Sequence, residues 1–319
     1  MDSTPNIKTR FFIISDTHGI NIPSEYTQDA NCTQYADCAQ YADVAIHCGD
    51  LTTESKIHEF KSTIQLLERI HAPLKLVIPG NHDFTIDTPI FQKKVAEAHT
   101  PLDPALVRKE YGDYEEARSL FHNTSIIFLE EGTHHFTLQN GASLTVYASP
   151  YTPSLGDWGF QYHPNQGHDF DIPPNVDVVI THGPPKGIMD YANSGQRTGC
   201  PGLFGAVARA RPRMHCFGHI HEGWGAKLVA WRDKVSENPS HLTDIDNGGS
   251  AVIGKLSDLA RRHERDRNRC YLTSHCADDP KPLHSGSQTL FVNAAVEGST
   301  DHCPVQPPWL VDIELSKAT

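Results

Sequence analysis

Basic residues are scarce in this chain: 27 Lys plus Arg stand against 39 Asp plus Glu, a formal net charge of −12. Nucleic-acid polymers and anionic membranes are recognised through a basic face, so neither is expected as a partner. Long apolar runs are lacking too. Nothing approaches the roughly 18 residues a membrane span needs. Residues 1–10 are polar, and Phe11-Phe12-Ile13-Ile14 is too short for the core of a signal peptide. A cytoplasmic location is therefore expected. The eight cysteines include no Cys-x-x-Cys pair, and without a secretion signal their even number does not imply disulfides. Cys48 and Cys216 sit inside apolar runs and read as small core residues. With 38% hydrophobic residues, the 319-residue chain can bury a real core, which excludes wholesale disorder. Histidine, by contrast, is abundant. There are 20, and the commonest metal ligand and acid–base group needs a reason to be so frequent.

Short β-branched apolar runs alternate with helical patterns, as in layered α/β folds. Strands are expected at 11–15, 44–48, 74–79, 125–129, 144–148, 176–181, 214–217 and 289–293. Helices are expected at 54–70, where Ile57, Phe60, Ile64, Leu67 and Ile70 recur at helical spacing, and at 201–210, before Pro212. Residues 134–138 and 144–148, joined through Asn140-Gly141, read as a hairpin. Residues 151–175, rich in Pro, Gly and aromatics, read as a loop over a site. Residues 232–285 are polar and punctuated by turns, with a helical pattern at 255–269. Because the strand pattern resumes at Thr289, the chain reads as a single domain over 1–319, with 232–285 a solvated insertion within it.

Chemistry gathers where strands end. Ile13-Ile14-Ser15-Asp16-Thr17-His18 runs off one strand and Ile46-His47-Cys48-Gly49-Asp50 off another. Ile78-Pro79-Gly80-Asn81-His82-Asp83 leaves a third, Ile180-Thr181-His182-Gly183 a fourth, and Phe217-Gly218-His219-Ile220-His221 a fifth. Open α/β sheets bind ligands just past the carboxyl ends of their strands. Singly, Asp16, Asp50 and Asp83 read better as turn or cap residues, and His182 as a core histidine. Five coincidences argue for one site. Two carboxylates, one amide oxygen and four imidazoles, with one carboxylate bridging, supply four contacts to each of two divalent ions. Mixed nitrogen and oxygen ligation suits Mn, Fe, Zn, Ni or Co, with Mn favoured, over Mg or Ca. Such a pair is electropositive and attracts an anion.

In their order and spacing, these five blocks resemble the calcineurin-like metallophosphoesterase superfamily, over about residues 10–231 and 289–315. Thr181-His182-Gly183-Pro184-Pro185 and Phe217-Gly218-His219-Ile220-His221-Glu222-Gly223 are similar to the branch named for a metallophosphoesterase domain, whose members cleave cyclic nucleotides and other phosphodiesters. Protein Ser/Thr phosphatases carry Arg before Gly-Asn-His and Asp-Arg-Gly after Gly-Asp. This chain has Pro79 and Leu51-Thr52-Thr53 there.

The resemblance implies a four-layer αββα sandwich with two mixed sheets. It places one metal on Asp16, His18, Asp50 and His221, and a second on Asp50, Asn81, His182 and His219. Catalysis falls to His82, as donor to the phosphate or leaving oxygen, and to Asp83, orienting His82. Asn81 and His82 would also meet the substrate. The implied reaction is attack on phosphorus, in line, by a metal-bridging hydroxide, on a small cyclic-nucleotide-like phosphodiester. Alternatives are a phosphomonoesterase acting on a small metabolite and a metal-bound scaffold without turnover. Tyr151, Trp158, Phe160 and Tyr162 are candidates to line a substrate cleft, and Lys186 and Arg197 to bind phosphate. Anchoring a loop, or simple exposure, serves as well for each. His47 and His215, within strands, read as core or supporting residues, and the oligomeric state stays open.

Overall fold

A computed structural model describes residues 6–19, 42–259, 270–300 and 303–318. The strands in chain order are β1 (Asn6–Ile14), β2 (Val44–His47), β3 (Leu74–Val77), β4 (Ile126–Phe128), β5 (Gly132–Thr137) and β6 (Ser143–Ser149). Then come the short β7 (Thr152–Pro153) and β8 (Gln161–Tyr162), followed by β9 (Val178–Thr181), β10 (Met214–Phe217), β11 (Gly225–Trp231) and β12 (Ile245–Lys255). The last are β13 (Tyr271–Ser274), β14 (Gln288–Asn293), β15 (Glu297–Thr300), β16 (Cys303–Val305) and β17 (Trp309–Ser316). One sheet has the order β13-β17-β1-β2-β3-β4 and the other β12-β11-β14-β10-β9-β6-β5. Both are mixed. In the first, β1 to β4 are parallel and β17 is antiparallel to β1. In the second, β6, β9, β10 and β14 are parallel, while β11 and β5 run antiparallel to their neighbours.

The layers follow from side-chain alternation along continuous apolar strands. On β1, Phe11 and Ile13 meet Val146, Val178, Ile180 and Cys216 of the other sheet. Phe12 and Ile14, pointing the opposite way, meet Ile57, Phe60, Ile64 and Leu67 on the helix Ile57–Arg69. On the far side, Val179, Phe217 and Phe291 pack against Leu203, Phe204 and Val207 of the helix Pro201–Ala210. Helix, sheet, sheet and helix therefore stack as expected. Each fully buried Leu, Ile or Phe contributes about 1.5–3 kcal/mol, an upper figure because the unfolded chain is itself partly collapsed.

Local chemistry sets the boundaries. Glu59 accepts from Lys56 N at 2.9 Å at the start of the first helix. Cys200 Sγ accepts from Leu203 N at the start of the second, which ends on Arg211 at φ 50° just before Pro212. The hairpin turns at Asn140-Gly141, where Gly141 has φ +87°.

The polar stretch 232–285 departs from expectation. Rather than leaving the fold as a surface excursion, it supplies an edge strand to each sheet: β12 beside β11 and β13 beside β17. Edge strands face water along one side, which explains their polarity, and most of β12 is exposed. Of the helical pattern at 255–269, Leu256–Leu259 is helical, and residues 260–269 lie outside the described residues. Among the described residues no helix is long and apolar enough to cross a membrane.

Candidate metal centre

The carboxyl ends of β1, β2 and β3 in one sheet face those of β9 and β10 in the other, and loops from all five are cross-tied. Asp16 N donates to Gly49 O at 2.9 Å, and His219 N donates to both oxygens of Asp16 at 3.0 Å. His82 N donates to Asp50 Oδ1 at 2.8 Å. Asn293, fully buried, donates from Nδ2 to Ile220 O and so holds the turn between His219 and His221.

All seven expected ligands converge. Asp16, His18 and His221 form one group of donor atoms, and Asp50, His182 and His219 a second; within each, the atoms lie within 4.8 Å of one another. Asn81 Oδ1 joins the second group, 3.0 Å from His182 Nε2. Asp50 Oδ2 lies 3.2 Å from His182 Nε2 and 4.0 Å from His18 Nε2, between the two. His82 also falls within 4.8 Å of His18 and Asp50 donor atoms.

The backbone is strained here. Of nine described non-glycine residues with positive φ, four are Asp16, His18, Asp50 and His219, at 48–66°. Left-handed conformations cost free energy and persist where the surroundings over-determine them, commonly at functional sites. The glycines before Asp50, Asn81 and His219 are required by space. A Cβ on Gly218 would stand 2.0 Å from Asp16 Oδ2 and 2.2 Å from Ser15 Oγ, and one on Gly80 2.3 Å from Asp50 Oδ1. Gly218→Ala is therefore expected to cost about 1–3 kcal/mol of stability and to displace Asp16. Denaturant unfolding and Mn2+ titration check this. Wild-type values in both would show that the loop has slack it does not display.

Hydrogen bonds fix which ring nitrogen each histidine presents. A carbonyl oxygen can only accept, so a ring nitrogen facing one carries the proton. Nδ1 of His18 faces Thr52 O at 3.1 Å, Nδ1 of His182 faces Cys48 O at 3.0 Å, and Nδ1 of His82 faces Thr53 O at 2.7 Å. Nε2 is thereby left to the site. On neutral His182 that nitrogen is a lone pair directed at two oxygen acceptors, Asp50 Oδ2 and Asn81 Oδ1. Three electron-rich atoms this close repel unless a positive charge lies among them. His18 Nε2 is buried and has no hydrogen-bond partner. The residues present therefore fit a pair of divalent cations.

The charges agree. Burial opposes ionisation of Asp16 and Asp50, yet His221, His182 and His18 hold Asp16 well below the usual carboxylate range, and His182 brings Asp50 to about 2. Burial would depress His18, but Glu297, Asp50 and Asp16 raise it to about 9; His182, likewise buried, is raised to about 9 by Asp50 and Asp16. His219 is pushed down to about 4 by burial and the neighbouring His182, so it is neutral at pH 7.

Without metal, the sign of the pH dependence follows. His18 and His182 have folded values near 9 against about 6.5 unfolded. Their contribution to stability is complete below about pH 6.5 and is lost as pH rises through about 9. In EDTA the thermal midpoint should fall across this window, and saturating Mn2+ should flatten the curve by replacing the protons. An EDTA curve already flat would contradict the assigned electrostatics.

Several supporting roles are corrected. Asp83 does not orient His82. Its carboxylate accepts from Leu51 N, Thr52 N, Thr52 Oγ1 and Gly80 N at 2.8–3.0 Å, tying the Gly-Asp loop to the Gly-Asn-His loop, and Thr53 O holds the His82 ring instead. Burial and the Asp50 charge raise Asp83 to about 6. Tyr151 packs on His168 and Phe160; the aromatic of that loop that meets the site is Trp158, 4.4 Å from His82 between ring centroids. Lys186 is exposed on a turn bonded to Cys200 O, and Arg197 pairs with Asp190 at 2.6 Å. His47 and His215 are buried on Thr17 and Thr181 and pushed down to about 3, neutral core residues. One acidic residue escaped the sequence reading: Glu297 on β15, with Oε2 2.9 Å from His18 Nε2. A signal for it was present, since Glu297 follows the apolar run Ala294-Ala295-Val296 four residues past the strand expected at 289–293.

The family model described as calcineurin-like phosphoesterase matches residues 9–223. Human metallophosphoesterase domain-containing protein 1 is 34% identical over 222 residues, 68% of this chain and 62% of its own length. The UPF0046 protein T07D4.2 of Caenorhabditis elegans is 34% identical over 192 residues, 57% of this chain and 46% of that protein. The chain thus spans under two thirds of the length of these curated relatives. Among solved structures, purple acid phosphatase PPD1 from yellow lupin matches with a TM-score of 0.42 and 11% identity, covering 92% of this chain and 45% of that one. Sequence motifs, sandwich and converged ligands are those of one family, and this chain belongs to the calcineurin-like phosphoesterases.

Proposed function

We propose that the chain is a dinuclear metal-dependent phosphoester hydrolase acting on a small, cyclic-nucleotide-like phosphodiester in the cytoplasm, with no nucleic-acid polymer or membrane as partner. The observation that carries this reading is Asp50, set between two groups of imidazole and carboxylate donors. Bound there, two divalent ions, Mn2+ favoured, would supply Lewis acidity toward a phosphoryl oxygen and lower the pKa of water.

The chain's own residues do the rest. Thr53 O and the Trp158 ring fix His82 beside this centre, and its Nδ1–H is already bonded. Nε2 is the nitrogen left to hold a proton for the phosphoryl or leaving oxygen. Asp83 keeps the loops bearing Asp50 and Asn81 in register. Charge favours a diester. Lys94, above Trp158, is drawn to Asp157, and Arg197 to Asp190, so neither is free to clamp a dianionic monoester.

The test compares bis-aryl and mono-aryl phosphates on Mn2+-loaded protein. The expected result is kcat/KM at least about tenfold higher for the diester, a difference of about 1.4 kcal/mol in transition-state stabilisation, with activity removed by EDTA and restored by Mn2+. The inverse ratio would move the reading to a phosphomonoesterase. Two bound metals with no turnover of either ester would leave a scaffold.

A further inference from the structure

We propose that Glu297 is an additional ligand of the cation held by Asp16, His18 and His221, an assignment that rests on the dinuclear reading above. Its Oε2 lies 2.9 Å from Nε2 of His18 and 3.6 Å from Nδ1 of His221. A carboxylate that only orients a ligating histidine bonds the ring nitrogen remote from the metal. On His18 that position is taken, because Nδ1 is bonded to Thr52 O. Glu297 instead approaches the nitrogen that faces the site.

That nitrogen is the second observation. The His18 side chain is 91% buried, and its Nε2 makes no hydrogen bond, although a carboxylate oxygen is within reach. With one proton held on Nδ1, Nε2 offers a lone pair once a cation takes the place of the second proton that the surrounding carboxylates favour. A separation of 2.9 Å requires positive charge between the two atoms, supplied by a proton in the metal-free site and by a shared cation in the loaded one. His221 completes the arrangement. Its Nε2 lies 3.3 Å from Asp16 Oδ1 on the metal side, and its Nδ1 edge is turned toward Glu297. Glu297 thus reaches from β15 to the edge of the donor group carried by the loops after β1 and β10. Its own side chain stays about half exposed at the mouth of the site, from which an incoming substrate could displace it.

The consequence is selectivity by charge. Four positive charges from two divalent ions face three carboxylates, Asp16, Asp50 and Glu297, leaving a net charge of about +1 where two carboxylates alone would leave about +2. A third carboxylate disfavours a dianionic monoester relative to a monoanionic diester. Glu297 is therefore a specificity determinant as well as a ligand.

The experiment titrates Mn2+ into metal-stripped wild type, Glu297→Gln and Glu297→Asp by calorimetry, and repeats the titration with Co2+ followed by visible absorption. Because the side chain is half exposed, the Gln variant is expected to fold, which circular dichroism verifies. The wild type should bind two ions. In Glu297→Gln one site should weaken about tenfold or more while the other is unchanged, with an altered Co2+ spectrum and partial recovery in Glu297→Asp. The mono-aryl to bis-aryl kcat/KM ratio should rise in the same variant. Two unchanged affinities and an unchanged Co2+ spectrum would overturn the role of Glu297. Fewer than two ions in the wild type would instead overturn the dinuclear reading, before any variant is compared.

Discussion

Asp50→Asn should leave a folded protein that binds at most one Mn2+ per chain and turns over a bis-aryl phosphate at least about a hundredfold more slowly. The size of the effect follows from position. Changing a residue that merely supports a ligand costs 10–100-fold in affinity or activity, and Asp50 serves both donor groups. Asparagine keeps Oδ1, so the 2.8 Å bond from His82 N survives and the loop should hold its shape. What is lost is the charge and the oxygen that lies 3.2 Å from His182 Nε2 and 4.0 Å from His18 Nε2. The raised pKa of His182, sustained against burial chiefly by Asp50, should fall as well. Metal analysis, circular dichroism and diester kinetics on one preparation decide the matter. Two bound ions and wild-type turnover would sink the shared-aspartate assignment.

His82→Ala should separate binding from chemistry. The His82 ring touches the centre from outside the expected ligand set, held by Thr53 O and Trp158. Its removal should therefore leave two bound Mn2+ while kcat falls about 10²–10⁴-fold, the range for loss of a positioned acid–base group. KM should move far less, because the cations still attract the phosphate. Loss of one Mn2+ along with activity would make His82 a ligand, an outcome its place within 4.8 Å of His18 and Asp50 donors makes worth measuring.

The two predictions differ in how far the sequence alone could have supported them. Asp16, His18, Asp50, Asn81, His182, His219 and His221 were all legible because each follows an apolar strand within a few residues, and parallel strands place their carboxyl ends at one edge of a sheet. Alternation of apolar strands and helices marked the layered α/β class in the same way, whereas the four-layer sandwich was what the family resemblance implied. The helix Pro201–Ala210 was readable to the residue because proline marks both ends. Asp83 was misread because its neighbour in sequence, His82, is not its partner in space; its hydrogen bonds reach back about 30 residues to Leu51 and Thr52. Residues 232–285 were misread because polarity marks exposure, and an edge strand is exposed on one side while paired on the other.

By itself, then, the sequence determined the donor types at the strand ends, their order along the chain and the alternation of strands and helices that carries them. Those are properties of short segments, set by strand period and by what a glycine permits next to it. Tertiary structure decided which nitrogen each histidine offers, since Cys48, Thr52 and Thr53 fix His182, His18 and His82 through carbonyls 29 to 134 positions away. It also decided that Glu297 from β15 would stand against His18. A hydrogen bond depends on distance and direction in space, and no local pattern encodes either when its two ends lie far apart along the chain.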